Sequence, residues 1–263
     1  MKSTENKNEM TSSARKTAIL EILNEDGEVR VADLSDKLQS SMVTIRKYLD
    51  ELGKEGLVER VHGGAKKNYR LQQNVLLSER MNFHKEEKKK IAEAASDLIN
   101  DGDSIIVNVG STSLYVAQQL RKKKNLIVIT NALQIVNEIT CYKNITTIML
   151  GGKFDHEMGF FYGDDTYQQL SKYNVDKLFT GMDGVDLVAG ATTYNHTEDT
   201  SMAKMMEGSK EKILVVDDTK IGRVTFAHIA SLSAFDTLIT NYSQRHERFY
   251  REAEQLGLRV ITV

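Results

Sequence analysis

Apolar positions in the first quarter of the chain recur at helical spacing. Ala18, Ile19, Ile22 and Leu23 share one helical face, and 31–38 reads as a second short helix. A three-residue turn, Gln39-Ser40-Ser41, leads into a third helix over 42–52, where Ile45, Leu49 and Leu52 line one buried face. Ser41 stands where it can cap that helix. Residues 56–61 then read as a strand and His62-Gly63-Gly64 as a tight turn. Three short helices followed by a small hairpin predict a winged helix-turn-helix over 14–70, preceded by a disordered polar tail over 1–13.

Residues 65–87 are polar with little periodicity, and 71–87 is taken as a linker. From residue 88 to 263 the pattern changes. Continuous apolar runs at 104–108, 126–130, 146–150, 177–181, 213–217, 237–241 and 259–263 alternate with amphipathic stretches at 88–100, 112–122, 132–140, 165–172, 199–209 and 244–256. Apolar strands separated by helices predict an α/β domain: an open, mostly parallel sheet with helices on both faces.

Composition narrows the function. Hydrophobic residues make up 40% of the 263 and charged residues 27%, an ordinary globular balance. Thirty-five Lys and Arg against 37 Asp and Glu give a net charge of −2, so the chain is no polycation. No apolar run has membrane-spanning length, the first 13 residues lack the apolar core of a signal peptide, and the single Cys141 supports no internal disulfide. A cytoplasmic protein without a cofactor is expected. Proline is absent, where average usage would give about 13.

A helix-turn-helix presents its second helix to the major groove, with the early residues near base edges. That points to Ser41, Met42, Thr44, Arg46 and Lys47 as DNA contacts. Arg46 suits a bidentate contact to guanine, and Ser41 and Lys47 suit phosphates. The wing adds Arg60 and His62, with Lys66 and Lys67 beside them. Residues 41–70 hold seven Lys/Arg and four Asp/Glu, a local net of +3, so recognition rests on a few contacts rather than bulk charge. A small helical bundle with a solvated charged face is the alternative on pattern alone.

In the larger domain, small and polar residues gather just after the strands, where ligands of open α/β sheets sit. Gly110-Ser111-Thr112-Ser113 opens a helix, and backbone N–H groups at such a start bind phosphate. Thr130-Asn131, Gly151-Gly152 and Asp183-Gly184 follow the next three strands, and Lys220 follows the fifth. Each also has a plain structural use, as cap, turn or surface carboxylate. Gly152-Lys153 lacks the rest of a P-loop.

Val43-Thr-Ile-Arg-Lys-Tyr-Leu49, Glu51-Leu52, Gly56-Leu57 and Arg60-Val-His-Gly-Gly-Ala65 closely resemble the DeoR-type bacterial transcriptional regulators. Gly110-Ser111-Thr112, Thr130-Asn131, Leu150-Gly151-Gly152, Val175-Asp-Lys177, Asp183-Gly184, Asp217-Asp-Thr-Lys220 and Phe235–Asn241 continue the resemblance in order, over roughly 15–245. The resemblance implies a repressor of carbohydrate-use genes. Its effector domain would be related to sugar-phosphate isomerases and would sense a phosphorylated sugar, with Asn131, Asp183 and Glu198 on its hydroxyls. It would act on a double-stranded operator as a homo-oligomer, a dimer or higher. Three positions depart from the family pattern. Gln39 and Ser40 replace a glycine and an aliphatic residue in the turn, Arg46-Lys47-Tyr48-Leu49 replaces Arg-Arg-Asp-Leu, and Asn108 replaces an Asp before the glycine loop.

Two other classes stay open at this point. Asp183, Glu198 and Lys220 are the residue types an isomerase uses, although the six histidines form no i, i+4 metal pair and no Gly-x-Ser-x-Gly elbow occurs. A helix-turn-helix that no longer binds DNA would leave an interaction module.

Overall fold

A computed structural model describes residues 12–54, 57–67, 80–195 and 199–263. They fall into two compact units, one before residue 76 and one from there on. Of the expected tail, residues 1–11 lie outside the described residues, while Ser12 and Ser13 already belong to the first helix. Of the expected linker, 71–79 lies outside them too. From Arg80 onward the chain is part of the larger unit, which corrects the expected limit at residue 87.

The smaller unit contains α1 (Ser12–Asp26), β1 (Glu28–Arg30), α2 (Val31–Lys37), α3 (Met42–Lys54), β2 (Val58–Val61) and β3 (Gly64–Lys67). Ile45, Tyr48, Leu49 and Leu52 recur at helical spacing on α3 and are buried against Ile19, Leu23, Leu34 and Val58. Each such burial is worth about 1.5–3 kcal/mol. Ser41 caps α3 as expected, its Oγ accepting the Thr44 N–H at 3.1 Å.

The turn between α2 and α3 carries Gln39 in the left-handed region at φ +47°, a conformation that disfavours any side chain. The family-type glycine would adopt it freely, whereas Gln39 adopts it at a cost in backbone strain. The wing has three strands in the order β1-β3-β2 rather than two. Val29 of β1 faces Ala65, and Arg30 faces Gly64. A Cβ on Gly64 would lie 2.0 Å from the Val29 carbonyl oxygen, so glycine is the condition for the third strand to dock.

The larger unit is built on seven strands: β4 (Ser104–Val107), β5 (Leu126–Thr130), β6 (Ile145–Met149), β9 (Val175–Thr180), β12 (Ser209–Val215), β14 (Thr237–Thr240) and β15 (Arg259–Thr262). Every neighbouring pair is parallel, in the order β15-β14-β12-β9-β4-β5-β6. Each apolar run of the sequence overlaps one of these strands, with offsets of up to four residues at β12, because the central part of the sheet is covered on both faces. Ile105, Val107, Val128, Ile213 and Val215 pack under α4 (Lys85–Asp97), α5 (Ser111–Gln119) and α6 (Leu133–Ile139). Ile106, Ile129, Leu178 and Leu214 pack under α7 (Asp164–Leu170), α8 (Asp199–Glu207) and α9 (Glu247–Gln255).

Two small antiparallel sheets complete the unit: β7 (Lys153–Asp155) with β8 (Phe160–Tyr162), and β10 (Gly184–Asp186), β11 (Gly190–Thr193) and β13 (Ala227–Ala230). Along the chain, β4, β5 and β6 step outward in one direction, and β9 starts again on the other side of β4. The sheet therefore has its topological switch point between β4 and β9, where open α/β sheets hold ligands. Among the described residues, no helix is long and apolar enough to cross a membrane.

Candidate effector site and nucleic-acid interface

At the switch point the chain leaves β4 through Asn108, Val109 and Gly110. The Asn108 N–H donates to the Phe179 carbonyl at 3.0 Å, and its side-chain amide donates to Thr180 Oγ1 at 3.3 Å. Thr180 in turn donates to the Gly181 carbonyl. Asn108 is buried, and its ability to donate is what the bridge uses. An aspartate in the family position would only accept.

Gly110, at φ +150°, turns the chain into α5. The first amides of α5 have no acceptor within the helix, and no side chain caps them. Ser111, Thr112 and Ser113 are all buried. The Ser113 hydroxyl is fully enclosed and has no hydrogen-bond partner among the described residues; nor has the buried Oδ1 of Asn131.

On the β9 side of the switch point, Asp183 accepts from Arg80 Nη2 at 3.1 Å through one oxygen. Its other oxygen accepts from Thr193 Oγ1 at 3.1 Å and the Tyr194 N–H at 3.2 Å. Burial raises this carboxyl, but Arg80 and Lys220 outweigh it and hold it below its ordinary value. Burial likewise raises Asp217, and Lys220 and Lys88 bring it down to about 2. Burial pushes Lys220 below its usual range, with Asp217 and Asp183 opposing and Arg80 and Arg223 adding to it. Lys88 is buried and donates to the carbonyls of Arg80 and Phe83 at 2.7 and 2.6 Å; burial pushes it down to about 8. Among the described residues, Arg80, Lys88, Lys220 and Arg223 thus act on Asp183 and Asp217 and on one another, with Glu87 also acting on Lys88.

The expected site residues divide. Gly110–Ser113 and Asp183 flank the switch point, and Lys220 lies in the field of Asp183. Gly151 and Gly152 are taken up by packing. The Gly151 carbonyl accepts from Thr166 Oγ1 at 2.7 Å and Gln169 at 3.2 Å, and its N–H donates to Gln169. A Cβ on Gly152 would lie 2.4 Å from Thr166 Oγ1 and 2.6 Å from the Tyr162 carbonyl. A Cβ on Gly184 would lie 2.4 Å from the Arg223 carbonyl. Thr130 accepts the Ala132 N–H at 3.1 Å, and the Asn131 amide donates to Phe161 at 2.9 Å, so both also tie the β7–β8 hairpin and its neighbours. Glu198 lies outside the described residues.

Sequence reasoning missed Arg80, Lys88 and Asp217. Arg80 sat in the expected linker. Lys88 stood in a lysine-rich run, but a signal was present: Lys88, Ile91, Ala92 and Ala95 share one helical face, and that face is buried.

On the smaller unit, Ser41, Met42, Arg46 and Lys47 are exposed along the start of α3, with Thr44 half-buried. Arg46 has no ion-pair or hydrogen-bond partner among the described residues. Lys47 lies 3.9 Å from Glu51, which Lys16 approaches to 2.9 Å. Val43, passed over in the sequence, is 73% exposed, and a valine in that place suits a thymine methyl. His62 is exposed at the tip of the wing. Arg60 is tied to Asp50 at 2.9 Å and to the Gly64 carbonyl, bracing the wing against α3.

Comparison with known proteins adds to this geometry. The DeoR-like helix-turn-helix domain model matches residues 15–70, and the DeoR C terminal sensor domain model matches 83–242. The putative aga operon transcriptional repressor of Escherichia coli O157:H7 is 31% identical over 232 residues, covering 88% of this chain and 86% of that protein. The HTH-type transcriptional repressor GlcR of Bacillus subtilis (strain 168) is 32% identical over 233 residues, covering 88% and 89%. Among solved structures, ribose 5-phosphate isomerase A from Methanocaldococcus jannaschii aligns with 52% of this chain and 54% of its own, at 18% identity and a TM-score of 0.39.

Proposed function

The chain belongs to the DeoR family of helix-turn-helix transcriptional regulators, and from that premise we propose that it represses carbohydrate-use genes and takes a phosphorylated sugar as its effector. It is a regulator and not an enzyme. On this reading α3 enters the major groove, with Arg46 on a guanine edge, Ser41 and Lys47 on phosphates, and Met42, Val43 and Thr44 against the bases. The wing brings His62, while Arg60 acts mainly as its brace. Two copies, in a dimer or higher oligomer, engage two half-sites.

The observation that carries the effector reading is the start of α5. Uncapped amides and an enclosed Ser113 hydroxyl, without a partner among the described residues, stand at the switch point, and Arg80 and Lys220 act on Asp183 beside it. A phosphate fits the amides and hydroxyls of Ser111–Ser113. The sugar hydroxyls then reach Asp183 and Lys220, with Asn131 Oδ1 and Glu198 as further candidates. The effector must bind one state of the protein better than the other, since equal affinity shifts nothing. A coupling of about 1–3 kcal/mol changes operator affinity by roughly 5–150-fold.

The test is fluorescence anisotropy on promoter fragments, with and without a panel of sugar phosphates. One member should change sequence-selective binding. Ser111→Glu, which sets a carboxylate against the phosphate, should abolish that response and leave DNA binding intact. A response that survives Ser111→Glu refutes the placement of the phosphate.

A further inference from the structure

Among the described residues, three side chains, Arg80, Tyr115 and Lys88, fasten the turn 80–84 to the larger unit. The Arg80 guanidinium reaches Asp183 at 3.1 Å. Tyr115 of α5 donates its hydroxyl to the Met81 carbonyl at 3.0 Å. Lys88 of α4 donates to the carbonyls of Arg80 and Phe83. Two of these anchors are parts of the candidate effector site: α5 is the helix that begins at Ser111, and Asp183 stands beyond the end of β9. The turn itself is covalently continuous with the chain that leads to the DNA-binding unit.

The anchors differ in kind. Tyr115 and Lys88 hold carbonyl oxygens. Arg80–Asp183 is a contact between charges, and both side chains keep some access to solvent, at 23% and 17%. Asp183 has one oxygen engaged by Thr193 and Tyr194, and Arg80 holds the other. A donor arriving from a ligand finds Oδ1 the less engaged oxygen, with one partner against two, and competes there with Arg80. Lys220 also favours the charged form of Asp183, so the departure of Arg80 leaves that carboxylate with a second cation acting on it.

We propose that Arg80 is a latch. With no effector bound it holds the turn 80–84 on Asp183. A hydroxyl of a bound phosphorylated sugar takes Asp183 Oδ1, the guanidinium is released, and the turn loosens at the point where the chain departs toward the DNA-binding unit. The effector half of the proposal rests on the sugar-phosphate reading above. Arg80 is thus a positioning residue for the signal rather than a main ligand for the effector.

The test is amide hydrogen exchange on the full chain in phosphate-free buffer. Arg80→Gln and Asp183→Asn should each speed exchange at 80–84 by about tenfold without ligand, as loss of one charged contact predicts. The double variant should go no further than either single one. Exchange in β4 reports whether a variant is folded, and Arg80→Lys, which keeps the charge and loses the planar fork, should lie between wild type and Arg80→Gln if the latter is unstable. Millimolar glucose 6-phosphate, fructose 1-phosphate, ribose 5-phosphate and glycerol 3-phosphate are then added in turn, with inorganic phosphate as a control. A sugar phosphate that raises the melting temperature should speed exchange at 80–84 in the wild type and leave Arg80→Gln unchanged. Unaltered exchange in the variants overturns the latch, as does a bound probe that leaves or slows exchange at 80–84. If no probe raises the melting temperature, the sugar-phosphate reading fails and the effector half falls with it, while the ligand-free comparison still decides whether Arg80 holds the turn.

Discussion

Ser113→Ala is expected to stabilise the protein and, in the same molecule, to weaken its response to a phosphorylated sugar. The Ser113 hydroxyl is fully enclosed and has no partner among the described residues. A buried polar group left in that state costs about 1–3 kcal/mol. Alanine removes the group and is the better helix former, by about half a kcal/mol. Against this stands the packing lost with one small atom, up to about 0.8 kcal/mol by analogy with a methylene. The balance is a gain of about 1–3 kcal/mol, which for a domain of this size raises the melting temperature by roughly 2–12 °C. Calorimetry in phosphate-free buffer measures it.

With a sugar phosphate present the order reverses. A hydrogen bond to a charged group contributes about 1.5–3 kcal/mol, so the variant should bind roughly 10–150-fold more weakly and gain less thermal stability from saturating ligand. A fall in melting temperature without ligand would show that the hydroxyl serves the fold. Equal stabilisation of wild type and variant by the ligand would show that it does not meet the phosphate. Either result removes the main support for the site at α5.

Arg46→Ala should leave folding stability unchanged to within about 0.5 kcal/mol, because the side chain is exposed, and should weaken specific operator binding by about 1–3 kcal/mol while relaxing one base position; an unchanged binding profile in anisotropy would remove Arg46 from the reading set. Stability should also rise as the pH goes from about 8 toward 10, because burial has lowered Lys88 to about 8 from 10.5, so the unfolded chain holds a proton there that the native protein has released. The full difference is about 3 kcal/mol, urea denaturation across that range measures it, and Lys88→Met should flatten the rise; the same rise in both proteins would assign it to another group.

The main sheet was legible because its central strands carry short apolar runs, such as Ile105–Val107, Leu178–Phe179 and Ile213–Val215, that are buried on both faces. β1, β7, β8, β10, β11 and β13 are three or four residues long, too short for a period to declare itself. The glycines show a different limit. Gly110 and Gly152 offer the same signal in sequence, a glycine shortly after an apolar strand. One opens the helix at the switch point, and the other is required because Thr166 and Tyr162 leave no room for a Cβ. Sequence shows that a side chain is absent, and only the fold shows what fills the space. Arg60 carries a related lesson for charge, since sequence shows a wing cation and only the fold shows that it also pairs with Asp50.

The order of the strands also bears on how the regulator is made. β4, β5 and β6 form one run of neighbours, β9, β12, β14 and β15 form another, and the pairing of Ile105 with Lys177 joins the two. The candidate site straddles that seam. At translation speeds of about 5–20 residues per second, Asp183 is added several seconds after Gly110. The DNA-binding unit is therefore complete on the ribosome before any sensor exists, and a chain cut short at β6 would carry the means to occupy an operator with half of the sheet and no seam. On the proposed function, such a fragment binds DNA and answers to nothing.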